Sequence, residues 1–238
     1  MKRSDMENSI SILSTRPVSE QQIQEAKFKN IIIDLVSFIE TEPIENVEVQ
    51  QEIESALVRP AAVVFTSMNA VEAVSQFVAD EKPPWKIYCI GNTTKQLAIK
   101  YFGAESIAAS ASDATELAET IIAEGEDTSV IFFCGVQRRD ELPRLLNDSN
   151  IEVEEIVVYE TVLVPHKIKK TYHGILFFSP SAVESFFSVN KINLETRIFA
   201  IGKTTAEAVT RHCNNKIILP EESTKYSLVE KMVEYFSG

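Results

Sequence analysis

Val64-Phe65-Thr66-Ser67-Met68-Asn69-Ala70-Val71 and Leu176-Phe177-Phe178-Ser179-Pro180-Ser181-Ala182-Val183 are two versions of one phrase. Each runs from an apolar stretch through a hydroxyl residue into the start of an amphipathic segment. Ile90-Gly91-Asn92-Thr93-Thr94 returns as Ile201-Gly202-Lys203-Thr204-Thr205, and Asp113-Ala114-Thr115-Glu116-Leu117 lies opposite Thr224-Lys225-Tyr226-Ser227-Leu228. The repeat distance, about 111 residues, is far too long for a solenoid and describes two copies of one small α/β domain.

Short β-branched runs alternate with helical patterns along the whole chain. The predicted strands are Ile10–Leu13, Ile31–Ile39, Ala62–Phe65, Lys86–Ile90, Ser106–Ala108, Val130–Cys134, Val153–Tyr159, Gly174–Phe178, Arg197–Ile201 and Lys216–Leu219. Amphipathic stretches such as NAVEAVSQFVA and DATELAETIIAE separate most of them. That alternation calls for parallel sheets covered on both faces. Ile10–Glu40 also resembles Val130–Glu160, so each copy is readable as cut after its second strand. The expected division is then 1–40 plus 166–238 as one discontinuous lobe and 46–157 as an inserted one. Residues 41–45 and 158–165, punctuated by Pro43 and Pro165, form the connector. Two consecutive domains with a single linker are the alternative.

Composition narrows the function. The 238 residues carry 35 acids and 23 bases, a net charge of -12, which disfavours nonspecific nucleic-acid binding. The excess is zoned: residues 40–54 hold six glutamates, residues 101–137 hold seven acids, and neither stretch has a Lys or Arg. No GxGxxG, GxxxxGK[ST] or GxSxG occurs among the seven glycines. Cys89 and Cys134 sit in apolar runs and Cys213 stands far from both, which describes free thiols. With no apolar stretch of signal-peptide or membrane-spanning length, a cytoplasmic protein is expected. His166, His173 and His212 are too scattered for a metal site.

The strand-to-helix junctions are where open parallel sheets bind ligands. They read Thr15-Arg16-Pro17, Thr66-Ser67-Met68-Asn69, Gly91-Asn92-Thr93-Thr94, Gly135-Val136-Gln137-Arg138-Arg139-Asp140, Ser179-Pro180-Ser181 and Gly202-Lys203-Thr204-Thr205. Each offers small polar side chains and free backbone N–H groups at a helix start. Singly these are ordinary helix caps. As two matching sets accompanied by Arg16, Arg138, Arg139, Arg197 and Lys203, they suit a ligand bearing carboxylates or phosphates, held between two lobes. All five cations fall outside the acidic zones, so the net charge does not describe the cleft.

VVFTSMNAVEAV (63–74), IYCIGNTTKQLAIKYFG (87–103), VIFFCGVQRRDELPRLLNDSNIEVEEIVVYET (130–161), ILFFSPSAVESFF (175–187) and IFAIGKTTAEAV (198–209) together resemble the successive motifs of the uroporphyrinogen-III synthase family. The opening STRP resembles that family's Thr-Arg-Pro, and the resemblance runs from about Ile10 to Phe236. It implies two flavodoxin-like or Rossmann-like α/β lobes with parallel sheets, joined by a two-stranded connector around an open cleft. It also implies a lyase with no cofactor and no metal. The substrate would be hydroxymethylbilane, closed with inversion of its last ring, through a spiro intermediate, to uroporphyrinogen III and water. The protein's task would be to fold a flexible chain so that the correct carbon meets the cation.

By the same resemblance, Tyr159 in VVYET would assist departure of the hydroxyl, and Thr205 of IGKTT would be a second catalytic residue, facing the cleft. Substrate contacts would come from Arg16, Ser67, Asn69, Thr93, Thr94, Arg138, Arg139, Ser179, Ser181, Arg197, Lys203 and Thr204. A monomer is expected, with transient contacts to neighbouring enzymes of tetrapyrrole synthesis and none to nucleic acid or membrane. The chain departs from the family pattern at three places. CGVQRRD keeps only Gly135, Met68 replaces a proline, and only about a dozen residues separate Pro17 from Ile31. A non-catalytic tetrapyrrole- or anion-binding member is the alternative, and a pair of interaction domains a further one.

Overall fold

The computed structural model describes residues 9–79 and 81–238. The opening MKRSDMEN of the sequence therefore lies outside the described residues, as do the first eight positions of the expected discontinuous lobe. Along the chain come β1 (Ile10–Ser14), α1 (Glu20–Phe28), β2 (Ile31–Leu35), β3 (Ile39–Pro43), α2 (Val47–Leu57), β4 (Ala61–Phe65) and α3 (Met68–Ser75). Next are β5 (Trp85–Ile90), α4 (Asn92–Phe102), β6 (Ile107–Ala111), α5 (Ala114–Glu124), β7 (Ser129–Gly135), α6 (Glu141–Asp148) and β8 (Glu152–Leu163). Last come β9 (Gly174–Phe177), α7 (Pro180–Val189), β10 (Arg197–Ala200), α8 (Lys203–Thr210), β11 (Ile217–Ile218) and α9 (Lys225–Ser237).

Two compact units result. The discontinuous unit holds the described residues up to Glu40 together with Val162–Gly238, and the continuous unit holds Thr41–Thr161. In the discontinuous unit the sheet order is β11-β10-β9-β1-β2, and every neighbouring pair is parallel. In the continuous unit the order is β3-β8-β7-β4-β5-β6, with the five strands from β8 to β6 parallel. Counted from β7, that sheet repeats the order of the first: second, first, third, fourth, fifth. The order reverses direction between β1 and β9 in one unit and between β7 and β4 in the other. Those are the switch points outside which open α/β sheets take ligands.

Alternation along each strand builds two layers. Val63 and Phe65 of β4 face a core with α2, α3 and α4, and Ala62 and Val64 face one with α5 and α6. In the discontinuous unit, Leu13 faces α7 and α8, and Ile12 faces α1 and α9. Runs buried on both faces are what continuous apolar strands such as AAVVF predict.

Three elements differ from expectation. Ile31–Ile39 is not one strand: β2 stops at Leu35 and β3 begins at Ile39 in the other sheet. Phe38, fully buried, turns into the core beside Phe186 (ring centroids 5.2 Å apart) and breaks the alternation that an unbroken strand needs. Helix α2 rises inside the first acidic zone, capped by the Asn46 side chain accepting from Val49 N. Its Glu48, Glu52 and Glu54 are exposed and its Ile53 and Ala56 are buried. The strand expected at Ser106–Ala108 starts later, because Ala104–Ser106 first makes a short 3-10 turn. No helix among the described residues is long and apolar enough to cross a membrane.

Candidate active site

At the carboxyl end of the continuous sheet, around its switch point, lies a cavity of about 320 Å³. Thr66 and Ser67 border it after β4, Gly135, Arg138 and Arg139 after β7, and Tyr159 on β8. Ser67 caps α3, its Oγ accepting from Asn69 N at 3.2 Å. Tyr159 owes its direction to an irregularity. β7 and β8 pair residue for residue to Cys134–Val157 and then jump to Gly135–Tyr159, leaving Val158 as an extra residue. The shift packs Tyr159 against the same core as Ile156 and Val158 rather than that of Val157. Val136 N donates to Tyr159 O at 3.0 Å and closes the pair. The half-buried phenol has no hydrogen-bond partner among the described residues.

The cations here differ from one another. Arg138 is held by Glu155 through its Nε and lies 3.4 Å from Asp140 Oδ1. Arg139 is exposed and has no carboxylate partner among the described residues. Asp113, from the second acidic zone, lines the cavity together with Glu141. Other acids of that zone are drawn away: Lys86 Nζ lies 2.7 Å from Glu124, 3.0 Å from Glu126 and 3.4 Å from Asp127. Burial pushes the Cys134 thiol up to about 11 and the Cys89 thiol up to about 12, so neither is a ready thiolate.

The other expected residues fall into four groups. Arg16, Ser179, Ser181, Lys203 and Thr204 stand at the carboxyl end of the discontinuous sheet, where Ser179 Oγ accepts from Ala182 N at 3.2 Å. Thr93 and Asn69 stand at the equivalent end of the continuous sheet, Asn69 Nδ2 donating to Thr41 Oγ1 at 3.4 Å. Thr94 and Thr205 are turned inward, 5% and 1% exposed, whereas Thr93 and Thr204 are exposed. The second threonine of each pair is therefore a core residue, and the first is the one open to solvent. Arg197 is not brought to the others. It opens β10 at the sheet's amino end, its Nε donating to Tyr235 Oη at 2.9 Å and its Nη1 to Glu195 O at 3.0 Å. Thr66, Asp113, Gln137 and Glu141 line the cavity without having been singled out by sequence. The junction rule would have found Thr66 and Gln137 had it been applied to every residue of each loop. Among the described residues, no group of three or more His, Cys, Asp and Glu side chains is placed to hold a metal ion.

A doubly represented α/β unit with polar loops at both switch points now has relatives to compare with. The family model described as uroporphyrinogen-III synthase HemD matches residues 21–230, and the chain belongs to that family. Among solved structures, it is similar to uroporphyrinogen-III synthetase from Helicobacter pylori, with a TM-score of 0.65 at 17% identity, covering 95% of this chain and 99% of that one. It is also similar to a mutant uroporphyrinogen III synthase from the extremely thermophilic bacterium Thermus thermophilus, with a TM-score of 0.56 at 13% identity, covering 95% and 97%. At such identities the structural likeness establishes the fold alone.

Proposed function

We propose that this family member is an active uroporphyrinogen-III synthase, a hydro-lyase that cyclises hydroxymethylbilane to uroporphyrinogen III and water. The observation that carries the reading is the unpartnered Tyr159 phenol in the cavity at the switch point of the continuous sheet. The phenol donates its proton to the terminal hydroxyl as the C–O bond breaks, and water leaves an azafulvene cation. The substituted carbon of the last ring attacks that cation and forms the spiro intermediate. Cleavage of the ring's older methylene bond then lets it reclose inverted, and the proton released on closure returns to the phenolate. Ser67, Arg139, Thr93, Ser179, Ser181, Thr204, Lys203 and Arg16 hold the substrate's carboxylates, and orientation supplies most of the rate. Arg138 is already neutralised and serves to order the loop after β7. No cofactor takes part. The enzyme works as a monomer in the cytoplasm, a reducing compartment that suits the buried free thiols Cys89 and Cys134.

A second reading, a non-catalytic polycarboxylate-binding member, is favoured by the neutralised Arg138 and the acids Asp113 and Glu141 in the cavity. Incubation with fresh hydroxymethylbilane, oxidation and chromatographic separation of the porphyrin isomers decides between them. The type III isomer is expected, and type I alone would overturn the reaction.

A further inference from the structure

The two units resemble each other in backbone and differ in charge at their fifth-strand helix starts. In the continuous unit, α5 is saturated by acids. Asp113 Oδ1 accepts from Glu116 N at 2.9 Å, and Glu116 Oε2 accepts from Ser112 N and Oγ, each at 2.7 Å. In the discontinuous unit, the equivalent α9 is capped by Thr224 Oγ1, accepting from Ser227 N at 3.1 Å, and the next residue is Lys225. Two contacts gather neighbouring junctions around that lysine. Gln22 Nε2 donates to Tyr226 O at 3.3 Å, tying the start of α1 to the start of α9. A β-carbon on Gly202 would stand 3.2 Å from Ser223 Oγ, so the loop carrying Lys203 passes close to the loop before α9.

Arg16, Lys203 and Lys225 are all exposed, and none has a carboxylate within 4.0 Å among the described residues. Arg16 acts electrostatically on Lys225, and the Lys203 junction passes beside the loop before α9, so like charges without a counter-ion here repel one another and favour a bound anion. Lost hydration, and after it the charge of Arg16, lowers the pKa of Lys225 below the ordinary lysine value, consistent with a cation lacking an acid beside it.

We infer that Arg16, Lys203 and Lys225 form a carboxylate anchor on the discontinuous unit, with Lys225 as a specificity residue for a polycarboxylate ligand. That the ligand is the substrate's acetate and propionate side chains rests on the reaction proposed above. The anchor itself is a matter of charge and is tested separately.

The probe is uroporphyrin III, a stable octacarboxylate, titrated into the full-length protein. Lys225→Gln is expected to weaken binding by about five- to tenfold, as loss of a charge-assisted hydrogen bond does. Lys225→Arg should retain most of the affinity, and Lys231→Gln on the outer face of α9 should change nothing. The Tm of ligand-free Lys225→Gln should not fall, because the substitution removes repulsion. The same variant should raise KM for hydroxymethylbilane more than it lowers kcat. Wild-type protein that binds uroporphyrin III through Lys225 but makes only isomer I retains the anchor and loses the reaction. Wild-type protein that makes isomer III while Lys225→Gln keeps its affinity and KM loses the anchor and retains the reaction. Failure of the wild type to bind the probe overturns the anchor.

Discussion

The phenol ring of Tyr159 lies directly against Gly135: a β-carbon built on that glycine would stand 2.5 Å from Cε2 and Cζ and 3.0 Å from Oη. Real β-carbon contacts are never so short, so the absence of a side chain at 135 is what allows the ring to take this position. Gly135→Ala must displace either the ring or the strand. It is expected to cost about 1–3 kcal/mol, as overpacking does, and to lower turnover together with stability. Denaturant unfolding and steady-state rates on one preparation check both.

Tyr159→Phe removes the hydroxyl and leaves the ring where it is. Because that hydroxyl has no partner among the described residues, stability should stay within about 0.5 kcal/mol of wild type. Turnover should fall by about a hundredfold, in the range of a lost general acid. Undiminished turnover would remove Tyr159 from the mechanism.

The paired threonines separate folding from binding. Thr205, 1% exposed, belongs to the core under α8, so Thr205→Val should shift Tm and affect KM little. Thr204 is exposed at the same helix start, and Thr204→Val should raise KM and leave Tm nearly unchanged. Measuring Tm and KM on both variants tests the assignment, and the reverse pattern would contradict it.

Phe38 ends β2 and fills the core between Phe186 and His166, whose ring centroids lie 5.2 and 5.6 Å from its own. Phe38→Ala should cost about 3–5 kcal/mol, since a cavity replaces a fully buried ring. Phe38→Leu should recover most of that loss in urea unfolding.

Asp34 carries an acid-stability signature. Burial pulls its pKa upward, but hydrogen bonds from Lys170 (2.8 Å) and Tyr172 (2.8 Å) and the charge of Lys170 outweigh it and hold the carboxyl below its ordinary 3.8. A depressed folded-state pKa contributes stability above the unfolded value and loses it as pH falls through the folded one. The contribution is thus present at neutral pH and disappears below about pH 4. The pair is partly exposed, so Asp34→Asn should cost about 1 kcal/mol or less at pH 7. It should also flatten the acid limb of a Tm-against-pH curve. An unchanged limb would contradict the pairing.

Much of this architecture was legible because the strands are short, apolar and repeated. VVFTS and LFFSP announce β4 and β9, and the two IGxTT segments announce the starts of α4 and α8. What escaped was decided by tertiary contacts. An unbroken Ile31–Ile39 run is ordinary β sequence, and only the core waiting for Phe38 divides it. Helix α2 was hidden by its glutamates, although Asn46 and the spacing of Val49, Ile53 and Ala56 were there to mark it. The inward turn of Thr205 and the placement of Arg197 at the amino end of β10 are matters of face and direction. Neighbouring letters do not reveal them.

The central claim is catalytic. Its most direct test is the ratio of type III to type I porphyrin formed from hydroxymethylbilane as protein concentration is raised. The type III fraction is expected to climb towards completion with added wild-type protein and to stay low with equal amounts of Tyr159→Phe. A product that remains type I at every wild-type concentration would contradict it.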